Sequence, residues 1–141
     1  MKTSEKREYN GTVRPAFTPE QITELQADEC FVFGSNLSGL HGGGAANYAF
    51  RHFGAVMRCS VCFRGQSYAI PTMQGGVETI KPYVDEFIAF AREHPELFFY
   101  VTRIGCGIAG FKDKEIAPLF CESLGVGNFC LPESFVKNIR Q

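Results

Sequence analysis

Eight of the 15 glycines fall in two short runs, five in Gly34-Ser-Asn-Leu-Ser-Gly-Leu-His-Gly-Gly-Gly44 and three at Gly105, Gly107 and Gly110. Lacking a Cβ, glycine lets backbone N–H groups turn toward a ligand and approach it closely. A helix N-terminus behind such a loop adds partial positive charge, so phosphate is the guest this chemistry suits. One such run is explained by a tight turn; two runs at strand ends point to a bound anion. Neither is a Gly-Lys-Ser/Thr phosphate loop, and no Gly-x-Gly-x-x-Gly opens a helix.

Reactive side chains flank both runs. His41 precedes three glycines and could serve as a general acid or a phosphate donor, or simply be solvated. Asp113, just after the second run, is a candidate base or nucleophile, or a first-turn helix residue favoured by the helix dipole. Cys106 lies among loop amides that would favour a thiolate, or is a small buried side chain. Lys112 and Arg103 could bring charge to a phosphate, and Arg103 could instead pair with an acidic neighbour. Thr72 and Gln74 follow a predicted strand, where ordinary turn chemistry and ligand contact are equally good readings. Cys59-Ser-Val-Cys62 is half of a zinc site with no second pair in the chain, so no metal is expected.

These residues need a scaffold of strands that end where the loops begin. Cys30 to Phe33 is apolar and stops at Gly34, Ser67 to Pro71 closes on a proline that cannot donate to a ladder, and Leu97 to Thr102 is aromatic and β-branched. Phe129 to Leu131 is a fourth, short strand. Between them, Ile80, Val84, Phe87, Ile88 and Ala91 repeat at helical spacing over 79–93. Helices are also predicted over 43–53, over 112–124 with Pro118 unwelcome inside, and over 134–139. Thr18-Pro-Glu-Gln21 reads as the capped start of a helix ending near Asp28. Alternating strands and helices, with strands apolar on both faces, predict an α/β fold: a three-layer α/β/α sandwich around a mixed, mostly parallel sheet. In such folds ligands sit beyond the carboxyl ends of the strands, so the turns after Phe33 and Thr102 should face one crevice.

The chain has 141 residues, near the size of one domain, and the expected division is a polar segment over 1–17 followed by a single domain over 18–141. Fourteen Lys and Arg against 15 Asp and Glu give a net charge of -1, which excludes strong nonspecific binding to nucleic acid. No apolar run approaches a membrane span. Met1 to Arg14 has no apolar central stretch, so the expectation is a cytoplasmic protein with reduced thiols, despite six cysteines.

The stretch Phe31-Val-Phe-Gly-Ser-Asn36-Leu-Ser-Gly-Leu-His-Gly42-Gly-Gly-Ala45 resembles the Asn-then-polyglycine loop of macrodomains, which bind ADP-ribose. Gly107-Ile108-Ala109-Gly110-Phe111 is similar to that family's diphosphate loop, and Arg103-Ile-Gly-Cys-Gly107 to its form in members that remove ADP-ribose from proteins. The resemblance covers about residues 30–124. It implies that Asn36 holds the distal ribose, that Gly42, Gly43 and Gly44 line the ribose and diphosphate, and that 107–111 close over the phosphates with Phe111 against the distal ribose. The full ligand-binding set adds Gly34, Ser35, Ala45, Gly105 and Cys106 from the same motifs, and Thr72 from its place after a strand end. Asn36, Asp113 and His41 are then the candidate catalytic residues. Two features depart from the family. No Gly-Asp-Ile/Val segment precedes the first core strand to read the adenine amine, Asp28 being a poor substitute. The acidic residue of many hydrolytic members falls at Ala46. The function implied is binding of ADP-ribose or a related nucleotide diphosphate, free or on an ADP-ribosylated macromolecule, with or without hydrolysis of the ADP-ribosyl bond and with no cofactor. The alternatives are a non-catalytic recognition module and a ligand-free structural protein.

Overall fold

A computed structural model describes residues 6–19, 22, 24–35, 63–64, 66–72, 75–104, 106, 110–125 and 127–139. The expected helix over 43–53, Cys59, Cys62 and Gln74 lie outside them. Strands β1 (Lys6–Tyr9) and β2 (Thr12–Pro15) form an antiparallel hairpin. The turn between them is Asn10-Gly11, with φ of 52° and 78°. Two successive positive φ values match the twist of a two-residue hairpin, which is why Asn-Gly suits it.

Among the described residues the main sheet has five strands: β3 (Glu29–Ser35), β4 (Phe63–Arg64), β5 (Ser67–Pro71), β6 (Phe98–Val101) and β7 (Phe129–Cys130). Their order is β4-β5-β3-β6-β7, and only the short β4 runs antiparallel to its neighbour. A mixed α/β architecture around four parallel strands is therefore present. Helix α1 (Val77–Glu93) links β5 to β6. Helix α2 (Asp113–Ile116) and the 3-10 turns of Ala117–Gly125 link β6 to β7, and α3 (Glu133–Ile139) follows.

Strand side chains alternate between two buried faces. Cys30 and Val32, Tyr68 and Ile70, Phe99 and Val101, and Phe129 join the helices' Ile80, Val84, Phe87, Ile116, Phe120 and Phe135 in one core. Phe87 is its aromatic hub, with ring centroids 5.1 Å from Tyr68, 5.3 Å from Phe99 and 5.5 Å from Phe129. The intervening residues Phe31, Phe33, Ala69, Phe98, Tyr100 and Cys130 are buried on the other face, where Tyr9, Ile22 and Leu25 pack against them. Burial on both faces is what a parallel sheet requires.

Two predicted helices are corrected. None of the described residues between Thr18 and Asp28 is helical. Thr18, expected to cap a helix, instead serves the strand β7: its N–H donates to the Leu131 carbonyl at 2.9 Å and its hydroxyl to the Cys130 carbonyl at 3.0 Å. The helix expected over 112–124 is α-helical for only four residues. Pro118 is the cause, because in a continuing α-helix its ring would strike the carbonyl of Lys114 and it has no N–H to donate, so the chain tightens to 3-10 turns. Gly34 does not stop its strand, since Gly34 and Ser35 still pair with Ile70 and Pro71.

The polar segment before Thr18 holds a buried charge. Arg14 is fully buried and uses all five guanidinium N–H groups. Nη1 meets Glu29 Oε2 at 2.8 Å and Asp28 Oδ1 at 3.2 Å, Nη2 meets Asp28 Oδ2 and the Tyr9 carbonyl at 2.9 Å each, and Nε meets the Thr12 carbonyl at 3.3 Å. The Tyr100 hydroxyl donates to the same Glu29 oxygen at 2.9 Å. Asp28 is thus committed to Arg14, at the end of β3 opposite the glycine runs.

Candidate functional site

Three parallel strands run toward the same end of the sheet, with Ser35 paired to Pro71 and β6 ending at Val101 opposite Val32. β3 is hydrogen-bonded to β5 on one side and to β6 on the other, so Ser35, Pro71 and Val101 deliver their following residues to one edge of the sheet. The chain steps from β3 outward to β5, then returns past β3 to β6 and on to β7. Strand order therefore reverses between β3 and β6, which is where open α/β sheets bind ligands. The two glycine runs follow these two strands. Of the first run, Gly34 and Ser35 are strand residues, while Asn36, His41, Gly42, Gly43, Gly44 and Ala45 lie outside the described residues. So do Gly105, Gly107, Ile108 and Ala109 of the second.

The described part of the second run is tightly tied. The N–H and the hydroxyl of Thr102 both reach the Val32 carbonyl, at 3.1 Å and 2.7 Å, fastening the end of β6 to β3. Turns from Ile104 N–H to Thr102 and from Cys106 N–H to Arg103 follow, at 2.7 Å and 3.2 Å. Gly110 has a φ of 84°, in the left-handed region that favours glycine. Phe111 packs against the helix-side core, and Thr72 is buried at the end of β5.

Asp113, the first residue of α2, gathers this segment. Arg103 donates Nε to Oδ1 at 2.9 Å and Nη2 to Oδ2 at 3.2 Å, the two-pronged geometry that suits a carboxylate. Cys106 Sγ donates to Oδ1 at 3.4 Å, and Ser134 adds a hydrogen bond from α3. Burial works against ionisation of Asp113, but the bonds from Arg103 and Cys106, the Arg103 charge and the Ser134 bond outweigh it and hold the carboxyl below its ordinary range. It is a carboxylate at neutral pH and a weak base. Burial, then the bond to Asp113 and its charge, push the Cys106 thiol up to about 12. The loop amides therefore do not give a thiolate, and Cys106 is a donor rather than a nucleophile.

Arg103 and Asp113 also line a groove of about 710 Å³. Phe17 and Pro19 border it, as do Glu133 and Lys137 of α3. Lys112 is exposed, and its backbone N–H donates to Glu115 Oε1 at 2.8 Å. Sequence reasoning did not single out Glu133, Ser134 or Lys137, because no local pattern links them to a loop some 30 residues earlier.

Among the described residues no three His, Cys, Asp or Glu side chains cluster to hold a metal ion. No helix of the described residues is long and apolar enough to cross a membrane. No family model, curated protein or solved structure matches this chain.

Proposed function

We propose that the chain is a three-layer α/β/α domain that binds ADP-ribose or a related nucleotide diphosphate where β3 and β6 end. The observation that carries this reading is topological: two glycine-rich runs follow the two parallel strands that flank the reversal of strand order. Nothing in their sequence spacing, nearly 70 residues apart, required them to leave neighbouring strands. The fully buried second face of the sheet is what a third layer would explain. A cytoplasmic address agrees with the free thiols of Cys30, Cys106, Cys121 and Cys130.

Within this reading, recognition is favoured over hydrolysis. Asp113 spends its carboxylate on Arg103, Cys106 and Ser134, and the position where hydrolytic macrodomains carry an acid is Ala46. The ligand is ADP-ribose free in solution or displayed on a modified macromolecule.

Titration calorimetry with ADP-ribose, ADP, AMP and NAD tests the reading. The expected result is micromolar binding of ADP-ribose, at least about tenfold tighter than ADP, a difference of about 1.4 kcal/mol. Silence toward all four nucleotides refutes it. Release of ADP-ribose from a modified protein, lost in Asn36→Ala while binding persists, would instead establish a hydrolase.

A further inference from the structure

We propose that Asn10 is a deamidation site, and that its conversion to an acid unfastens the β1–β2 hairpin from the rest of the fold.

Of the five asparagines, Asn10 alone is followed by glycine; Asn36, Asn47, Asn128 and Asn138 precede Leu, Tyr, Phe and Ile. The difference is chemical. Asparagine loses its amide when the backbone nitrogen of the next residue attacks Cγ, and a glycine, lacking a side chain, leaves that nitrogen unshielded. Asn10 and Gly11 are both exposed, at the tip of the two-residue turn between β1 and β2. In the reaction the Gly11 nitrogen gives up its proton and bonds to Asn10 Cγ, while the Cγ–Nδ2 bond breaks and Nδ2 leaves as ammonia. One water then opens the cyclic imide at either of its carbonyls, leaving aspartate or its β-linked isomer. Nothing is oxidised or reduced, and water is the co-reactant.

The amide that would be lost is also the group with which the hairpin tip grips its neighbour. Asn10 Nδ2 donates to the carbonyls of Pro95 and Glu96 at 3.2 and 3.3 Å, in the turn between α1 and β6. The Tyr9 hydroxyl donates to the same Pro95 carbonyl at 2.7 Å. While these bonds hold, the leaving nitrogen is engaged, so conversion needs the tip to lift. Once converted, the side chain cannot re-form the grip, because a carboxylate has no N–H to offer two carbonyls. Asn10 also helps to hold the Asp28 carboxyl ionised, so an acid at position 10 sets a second negative charge beside it. The β-linked isomer in addition lengthens the backbone inside a two-residue turn, against the Tyr9–Thr12 register. Loss of the grip reaches the core, since the Tyr9 carbonyl is one of the acceptors of buried Arg14.

The experiment incubates the full chain at mildly alkaline pH, folded and in urea, and follows its peptides by mass spectrometry. Conversion is expected at Asn10 and at none of the other asparagines, with two products that separate by chromatography, and several-fold slower in the folded chain than in urea. Tyr9→Phe removes a neighbouring grip and keeps the Asn-Gly pair; it is expected to speed conversion several-fold in the folded chain and to leave the rate in urea unchanged. Asn10→Asp, made directly, is expected to raise amide exchange over 6–15 by about 5- to 30-fold, the change in local opening that two neutral hydrogen bonds allow, with α1 unchanged. An Asn10 that stays intact in the folded chain while it converts in urea would overturn the site. Equal rates folded and in urea, or no effect of Tyr9→Phe, would overturn the guarding role of the grip. Unchanged exchange over 6–15 in Asn10→Asp would overturn the release of the hairpin.

Discussion

Replacing Arg14 by Met removes a buried cation while keeping an unbranched apolar stem of similar reach. The side chain of Arg14 is 0% exposed and that of Glu29 6%, whereas Asp28 is 32% exposed. The Asp28 arm, near solvent, contributes at most about 1 kcal/mol. The Glu29 arm is different: once the guanidinium is gone, a buried carboxylate keeps, among the described residues, the Tyr100 hydroxyl and the Gln26 N–H, and the carbonyls of Tyr9 and Thr12 lose the Arg14 donors. Breaking a buried pair from one side costs about 3–5 kcal/mol. That is a large share of a typical stability of about 5–15 kcal/mol. With a urea m-value of about 2 kcal/mol/M, the midpoint moves down by about 1.5–2.5 M. Urea unfolding followed by far-UV circular dichroism reads it, the chain having no Trp. Val13→Thr, on the exposed side of the same strand, is the control and stays within about 0.5 kcal/mol. A loss below about 1 kcal/mol in Arg14→Met would refute the reasoning, because it would mean the hairpin is an appendage whose docking the fold does not need.

Acid should act through the same contact. The Arg14 hydrogen bond above all holds the Asp28 carboxyl below its ordinary range, so its stabilisation is present above about pH 4 and is lost as pH falls through the lowered value. Wild-type stability therefore declines below about pH 4, and Arg14→Met, lacking the Asp28 share, declines less steeply in the same titration. Asn128 is buried and its Nδ2 reaches the carbonyls of Ala91, His94 and Leu97 at 2.7, 3.1 and 3.3 Å, closing the C-terminal end of α1. Asn128→Ala should cost about 2–3 kcal/mol, a fall in Tm of roughly 6–9 °C by scanning fluorimetry, and no fall would show that water serves those carbonyls equally well. Phe87→Ala should cost about 3–5 kcal/mol in urea, since three aromatic neighbours lose their partner. Iodoacetamide at pH 8 should label exposed Cys121 well before Cys106, whose thiol is pushed up to about 12. Peptide mass spectrometry showing equal rates would refute the Cys106–Asp113 bond.

How much was legible in the sequence depended on whether a signal was local. Ser67–Pro71 was read to the residue and Cys30–Phe33 within two, because a strand buried on both faces is a continuous apolar run with punctuation at its ends. Helix α1 was legible from its periodicity. The hairpin was equally local, since Asn10-Gly11 is a strong hairpin dipeptide, but charged residues around it made the segment look like a polar tail. Such a pattern cannot show that Arg14 is buried, because its partners Asp28 and Glu29 lie 14 and 15 residues later, at the start of β3. The helix expected from Thr18 failed for a related reason: a good capping residue was used by a strand over 100 residues later. At the site, Arg103 and Asp113 were both picked out, and pairing with an acidic neighbour was one of two readings for Arg103. Their joining could not be read off, because ten residues fit no helical or strand repeat. The two meet in the folded chain, where Arg103 lies within the turns from Thr102 to Cys106.

The charge of the chain bears on what such a site can select. With a net charge of -1 there is no broad field to gather polyanions, so affinity for phosphate must come from donors at short range. Backbone amides of glycine-rich runs supply such donors without adding charge. Arg103 is paired with Asp113, so that ion pair adds no net charge at the end of β6. A site built this way gains little from the phosphodiester backbone of a nucleic acid, which rewards many spaced cations. It gains most from a compact ligand whose phosphates fit one end of one sheet. Salt provides the discriminating measurement: binding of ADP-ribose should weaken only modestly between 0.05 and 0.5 M salt, about what one ion contact predicts. A steep decline would mean that diffuse charge, and not donors at short range, carries the affinity.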